Sequence, residues 1–98
     1  MRVLAVGDSM YPTLRHGNKY TVDTHYEGIA EGDIVVFFIR GQVICHRVKR
    51  KIQTKNNRLF FETQGDNCKQ PDPFVITDKM IIGKVVVPGS NTPRISDE

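Results

Sequence analysis

Four side chains in this sequence could together hydrolyse an amide bond. Ser9 ends a short apolar run, and the turn that follows is stiffened by Pro12. Its hydroxyl should therefore project from a sheet, with its backbone N–H facing an incoming carbonyl oxygen. His46 lies on the apolar face of a predicted strand, where burial favours the neutral, proton-accepting imidazole. With Asp66 and Asp72, which lie in a polar loop, they make up a nucleophile, a base and an orienting carboxylate.

Cysteine and metal chemistry have weaker support in the sequence. Cys45 adjoins the candidate base but points to the opposite face of its strand. Cys68 lies in the aspartate loop and could approach the site, yet no second histidine has a recognisable partner position. Two cysteines are too few for a disulfide framework and match no zinc motif, so we expect reduced thiols. The spacing of His16 and His25 does not suit a metal site, so we predict no bound metal. We also predict no cofactor.

Short strands must position these side chains. The chain has 98 residues, of which 39% are hydrophobic and 26% charged, as in one small globular domain. No stretch of ten or more residues has the pattern of an amphipathic helix. We therefore predict an all-β, mainly antiparallel fold with short helical turns, a single domain over residues 1–87 and a polar tail over 88–98. The predicted strands are residues 3–6, 19–23, 34–39, 43–52, 59–63 and 79–87, with a bulge or close backbone approach at Gly83.

Two of these strands carry clear burial patterns. Residues 34–39 are apolar without alternation, which predicts that both faces of the strand are covered. Residues 43–52 alternate, so their side chains should divide between two faces. The first face holds Ile44, His46, Val48 and Ile52, and the second holds Cys45, Arg47, Lys49 and Lys51.

The charge distribution excludes some partners. The net charge of +3 comes largely from a basic cluster. Its members are Arg47, Lys49, Arg50, Lys51 and Lys55. The cluster has no interleaved aromatic residues and no helical pattern, so we interpret it as a solvated strand edge and predict no nucleic-acid partner. No apolar run could span a bilayer or act as a secretory signal. As written, the sequence predicts a soluble cytoplasmic protein, or a membrane-associated one if it is a domain of a longer chain.

Five segments occur in a characteristic order along most of the chain. They are Ser9-Met10-Tyr11-Pro12-Thr13-Leu14, Gly32-Asp33-Ile34-Val35-Val36-Phe37, Cys45-His46-Arg47-Val48, Gly65-Asp66-Asn67 with Asp72, and Ile82-Gly83-Lys84-Val85. Together they resemble the ordered sequence boxes of type I signal peptidases. Most bacterial members have a lysine before the Arg-Val pair, whereas His46 here is similar to the endoplasmic-reticulum and archaeal branch.

This resemblance implies an antiparallel β fold and a serine endopeptidase that cuts a leader or signal segment after small residues. By position, Ser9 would be the nucleophile and His46 the general base, with Asp66 and Asp72 as candidates to hold the imidazole or shape the site. We assign the substrate and oxyanion contacts to Ser9 and Met10, and we expect the Met10 side chain to pack beneath the turn. The peptide substrate should bind in extended form along an exposed strand edge.

Two other functions remain open. The chain could be a non-catalytic module of the same fold that binds an extended peptide. That alternative is motivated by Gly7, where many relatives have a hydroxyl donor, and by Asp8, whose charge adjoins the expected oxyanion. It could also be a regulator related to the self-cleaving repressor proteases, although that group uses a lysine base and an attached DNA-binding domain.

Overall fold

A computed structural model describes residues 1–86 of the chain as one antiparallel sheet of seven strands. The strands are β1 (Arg2–Leu4), β2 (Lys19–Asp23), β3 (Ile34–Ile39), β4 (Gln42–Gln53), β5 (Leu59–Gln64), β6 (Val75–Thr77) and β7 (Ile81–Val86). Their order across the sheet is β1-β2-β7-β3-β4-β5-β6, and each neighbouring pair is antiparallel. The predicted all-β fold is confirmed. The predicted tail over 88–98 and the last residue of the predicted domain lie outside the described residues.

β3 forms the centre of the core, and both of its faces are covered as predicted over residues 34–37, but Phe38 is 50% exposed, so the predicted cover does not extend to the end of the strand. A first core cluster comprises Ile29, Val35, Phe37, Val48, Phe61, Ile76 and Ile81. A second core cluster comprises Met10, Leu14, Val22, Ile34, Val36 and Val85. Alternate residues of β3 therefore belong to different clusters. A two-residue turn joins β3 to β4, and Arg40 (φ 51°) and Gly41 (φ 79°) both have the positive φ of a type I′ hairpin.

A bulge in β4 corrects one detail of the predicted strand faces. Val48 pairs with Thr63 of β5, but the register shifts before Arg50, which pairs with Glu62. The extra residue reverses the alternation, because side chains change face at every step of a strand. Ile52 pairs with Phe60 and so lies on the opposite face from Val48. The prediction that Ile52 shares the face of His46 is wrong, and so is the prediction that Lys51 shares the face of Cys45, because Lys51 pairs with Phe61.

The end of the described chain differs from the single strand predicted over residues 79–87. Asp78–Met80 forms a 3₁₀ turn, and β7 begins only at Ile81. Gly83 lies where the pairing of β7 with β3 is irregular. A Cβ atom there would lie 2.5 Å from Val22 Cγ1 and 2.7 Å from the Asp23 carbonyl oxygen, so the predicted close approach is confirmed. β6 was not predicted. Over residues 1–86, the structure has no helix with the length and apolar character needed to cross a membrane.

Candidate active site

A tight turn after β1 carries Ser9. The excursion over residues 5–18 is closed at its base, where the Ala5 N–H donates to the Asn18 carbonyl over 2.8 Å. Met10 and Leu14 are buried in the second core cluster, and the Leu14 N–H donates to the Met10 carbonyl over 2.9 Å. These contacts anchor the turn from below, which is the packing role expected of the Met10 side chain. The Ser9 side chain itself is left partly exposed.

His46 of β4 meets the serine although 37 positions separate the two in the chain. Its Nε2 lies 3.1 Å from Ser9 Oγ, and its Nδ1 lies 2.7 Å from Asp72 Oδ2. The ring packs edge-on against Phe37, with 6.5 Å between the ring centroids. Only 12% of the His46 side chain and 12% of the Asp72 side chain are exposed, so water does little to weaken their attraction.

These partners determine where the imidazole proton lies. A carboxylate can only accept, so the hydrogen bond to Asp72 is donated by Nδ1–H of His46. Nε2 of the neutral ring then keeps its lone pair, which faces the hydroxyl of Ser9. The arrangement can remove a proton from Ser9 Oγ and stabilise the resulting imidazolium.

Asp72 is held by a residue that the sequence analysis did not identify. Thr63 of β5 is fully buried, and its hydroxyl donates to Asp72 Oδ2 over 2.6 Å. In return, the Asp72 N–H donates to the Thr63 carbonyl over 2.8 Å. The available signal was the alternation of β5, because Thr63 is two residues beyond the core residue Phe61 and shares its face.

Asp66 lies in the same loop as Asp72 but has different partners. Arg47 donates from Nε to Oδ1 and from Nη2 to Oδ2, each over 2.7 Å, and Thr13 Oγ1 donates to Oδ2 over 2.6 Å. The hydrogen bond from Arg47, aided by that from Thr13, holds the pKa of Asp66 below its usual range despite some desolvation. Arg47 also donates to the Gly32 carbonyl over 2.7 Å. Asp66 thus joins β4 to the turn after β1 that carries Ser9, called the nucleophile turn below, and the contact with the imidazole is made by Asp72.

The loop over residues 65–67 packs directly against the nucleophile turn. The Asn67 N–H donates to the Ser9 carbonyl over 2.8 Å, and the Asn67 side-chain amide donates to the Asp8 carbonyl over 3.0 Å. A Cβ atom on Gly65 would lie 2.5 Å from the Ser9 carbonyl oxygen and 3.2 Å from His46 Nε2. Only glycine therefore fits at position 65 without displacing its neighbours.

Neither the Cys45 thiol nor the imidazoles of His16 and His25 form a competing site. Burial, with a smaller effect of the Asp66 charge, raises the pKa of the Cys45 thiol to about 12. The thiol therefore remains protonated and is a poor nucleophile. Cys68 Sγ lies 4.0 Å from the Ser9 carbonyl oxygen. His16 and His25 are both exposed, and the described part of the chain has no group of three or more His, Cys, Asp and Glu side chains suited to a metal.

A groove of about 480 Å³ leads to Ser9 and His46. One wall is residues 3–7 and the other is residues 43–46. Among residues 1–86, β1 pairs only with β2, and β4 pairs with β5 only from Arg47 onward. Residues 3–4 of β1 and residues 43–46 of β4 therefore each present a strand edge that no described strand occupies. The groove is bordered mainly by apolar side chains, including Val3, Ala5, Leu14, Val36 and Ile44.

Backbone donors are available beside the hydroxyl. Within residues 1–86, the N–H groups of Ser9 and Met10 donate no hydrogen bond to the protein. The Gly7 N–H, in contrast, donates to Nδ1 of His16 over 2.8 Å. An oxyanion next to Ser9 Oγ could therefore be received by the N–H groups of residues 9 and 10.

Comparison with known proteins gives one match. A family model described as Peptidase S24-like matches residues 2–86, a span that contains every residue of the site described above. No curated protein and no solved structure matches the chain.

Proposed function

The chain belongs to the Peptidase S24-like family of serine proteases, and from this premise we propose that it is a serine endopeptidase with Ser9 as nucleophile and His46 as general base. The family includes both signal peptidases and self-cleaving repressor proteases. The observation that carries the proposal is the 3.1 Å contact between Ser9 Oγ and His46 Nε2. That contact is the hydrogen bond through which a base activates a hydroxyl.

The reaction follows from this contact. Ser9 Oγ bonds to the scissile carbonyl carbon while its proton passes to His46 Nε2. The carbon–nitrogen bond then breaks, and the leaving amine takes the proton from Nε2. A water molecule attacks the acyl ester, gives a proton to Nε2 and releases the carboxylic acid, and Ser9 Oγ regains its proton from the imidazolium.

Two further groups stabilise the charges that develop in these steps. The Asp72 carboxylate, 2.7 Å from Nδ1, faces the positive imidazolium. The N–H groups of Ser9 and Met10 face the oxyanion, and each such donor contributes on the order of 3 kcal/mol in sites of this kind. Gly7 supplies no hydroxyl, so we assign the oxyanion contact to backbone donors.

The groove suggests how the substrate binds. An extended peptide between residues 3–7 and 43–46 would find backbone partners on both sides, since each wall includes an unpaired strand edge, residues 3–4 of β1 and residues 43–46 of β4. Both walls lead toward the reacting pair, because Ser9 follows the first wall and His46 ends the second. We propose a leader or signal segment cut after small residues, as in type I signal peptidases with a histidine base. The support for this narrower assignment is the order of the five sequence boxes and the histidine at position 46.

The proposal is tested with purified protein and a peptide bearing an Ala-x-Ala junction, alongside a broad peptide panel. Ser9→Ala and His46→Gln should each reduce kcat by about 10³-fold or more, and the double variant should be no slower than either single one, because the two act as a unit. His25→Gln is the matched control, since His25 is exposed and its hydrogen bonds within residues 1–86 are to Asp23 and Thr24 alone. It should cleave at the unsubstituted rate.

The alternatives give different results in the same experiment. Cleavage by Ser9→Ala at the unsubstituted rate would refute the assignment of the nucleophile. A peptide-binding module would cut none of the panel peptides, and the unsubstituted protein and Ser9→Ala would bind them with equal affinity. A self-cleaving regulator would instead shorten its own chain, detected by intact mass, and Ser9→Ala would abolish that shortening.

A further inference from the structure

Thr63 is the one fully buried polar side chain among residues 1–86, and its burial calls for an explanation. It lies on the core face of β5 opposite Val48, where a valine would have nearly the same shape. Burying a hydroxyl costs free energy unless it is hydrogen-bonded. The hydroxyl of Thr63 makes a single hydrogen bond in the described structure, to Asp72 Oδ2 over 2.6 Å.

The contacts of Asp72 show what this hydrogen bond does. Oδ2 accepts from both Thr63 Oγ1 and His46 Nδ1, so one oxygen joins the two donors. The backbone N–H of Asp72 also donates to the Thr63 carbonyl over 2.8 Å. Pro71 and Pro73 restrict the backbone on either side. With the main chain fixed, the remaining freedom of the carboxylate is rotation of its own side chain, which the threonine hydroxyl opposes.

We propose that Thr63 is a positioning residue of this site, which keeps Asp72 Oδ2 aligned with Nδ1–H of His46. The inference rests on the proposed function, because alignment matters most when Nε2 takes the proton of Ser9 and the ring becomes positive. Without the threonine hydroxyl, the carboxylate is free to turn away, and Nδ1–H is then exposed to water for part of the time. The imidazole is oriented less often, and fewer encounters with bound substrate lead to proton transfer.

The test compares variants that differ by a hydroxyl alone. Thr63→Val removes the hydroxyl and keeps the shape, and Thr63→Ala and Thr63→Ser form a second pair that differs only in the hydroxyl. Thr63→Val and Thr63→Ala should lower kcat about tenfold with KM unchanged, the rate equivalent of one hydrogen bond to a charged group. Thr63→Ser should stay within about twofold of the unsubstituted kcat. Thr77→Val, in β6, is the control for loss of a strand hydroxyl and should leave kcat unchanged.

A second measurement does not depend on proteolysis. The Nδ1 proton of His46, assigned by its loss in His46→Gln, should exchange with water several times faster in Thr63→Val than in the unsubstituted protein or in Thr63→Ser. Equal exchange rates in all three would overturn the inference. If Thr63→Val does not fold, the Ala and Ser variants are compared in the same way.

The two proposals fail in distinguishable ways. If Ser9→Ala abolishes cleavage while Thr63→Val and Thr63→Ser have the same kcat, the positioning role of Thr63 is wrong and the protease assignment stands. If no variant cleaves any peptide, the protease assignment fails, and proton exchange still decides whether Thr63 holds Asp72.

Discussion

Replacing Gly65 by alanine tests how closely the loop over residues 65–67 is packed against the nucleophile turn. The added Cβ would lie 2.5 Å from the Ser9 carbonyl oxygen, whereas ordinary contacts begin at 3.4 Å. The backbone on one side must therefore move by about 0.9 Å, the difference between these two distances. The Ser9 oxygen cannot withdraw freely, because it accepts the 2.8 Å hydrogen bond from the Asn67 N–H.

The expected effect follows from this displacement. Overpacking of this kind costs about 1–3 kcal/mol of unfolding free energy. A misplacement of about 1 Å at a reacting group lowers the rate about 100-fold. Gly65→Ala should therefore reduce kcat/KM for the cleaved peptide about 100-fold and lower Tm by at least about 4 °C. Steady-state cleavage and thermal unfolding followed by circular dichroism measure the two quantities.

Two further variants make the result specific. At Gly28, whose φ is not positive, a Cβ would meet no atom within 4 Å, so Gly28→Ala should leave kcat/KM unchanged and should not lower Tm. Removing the sulfur of Cys68, 2.8 Å from the hypothetical Cβ, should not rescue Gly65→Ala, because the clash with the Ser9 carbonyl persists. Unsubstituted activity and Tm in Gly65→Ala would refute the packing described here. Rescue by Cys68→Ala would show that the sulfur, and not the backbone, limits position 65.

Two other predictions concern charge. Asp66→Asn should lower the unfolding free energy at pH 7 by about 1–2 kcal/mol, because the amide loses the paired hydrogen bonds to Arg47. Folding lowers the pKa of Asp66, so its stabilisation is complete above the unfolded-state pKa and is lost as pH falls through the lowered value. The difference in unfolding free energy between the unsubstituted protein and Asp66→Asn, measured by urea unfolding, should therefore shrink as the pH is lowered. A difference that does not change with pH would contradict the stabilising role of the contact between Asp66 and Arg47. Because the pKa of Cys45 is raised to about 12, about one thiol in ten thousand is ionised at pH 8. In the native protein, iodoacetamide should label Cys68 well before Cys45, as peptide mass spectrometry can show, and equal labelling would contradict the raised pKa of Cys45.

The sequence was sufficient to predict the all-β class and most strands, because those strands have strong apolar patterns. β6 was missed because Val75–Thr77 is too short to show a pattern next to a proline-rich loop. The face of Ile52 was wrong because a bulge depends on the register with the partner strand, which one strand's alternation does not reveal.

The same limit applies to the site. Residue types alone indicated a serine, a histidine and two aspartates, and that assignment stays a prediction until activity is measured. The sequence could not distinguish Asp66 from Asp72, because both lie in one loop. The difference comes from partners far away in the chain, since Arg47 binds Asp66 whereas Thr63 and His46 bind Asp72.

Ser9, His46 and Asp72 are brought into contact only when the chain folds. They come from the beginning, the middle and the later part of the sequence: His46 lies on β4, Ser9 in the segment after β1, and Asp72 in the loop before β6. Under the proposed function, a nascent chain that lacks Asp72 has no carboxylate to hold Nδ1–H of His46, so we expect little hydrolysis before the later strands are made. Only molecules whose seven strands have assembled would then hydrolyse the peptide, so the rate of hydrolysis would measure the fraction of the protein that has refolded correctly.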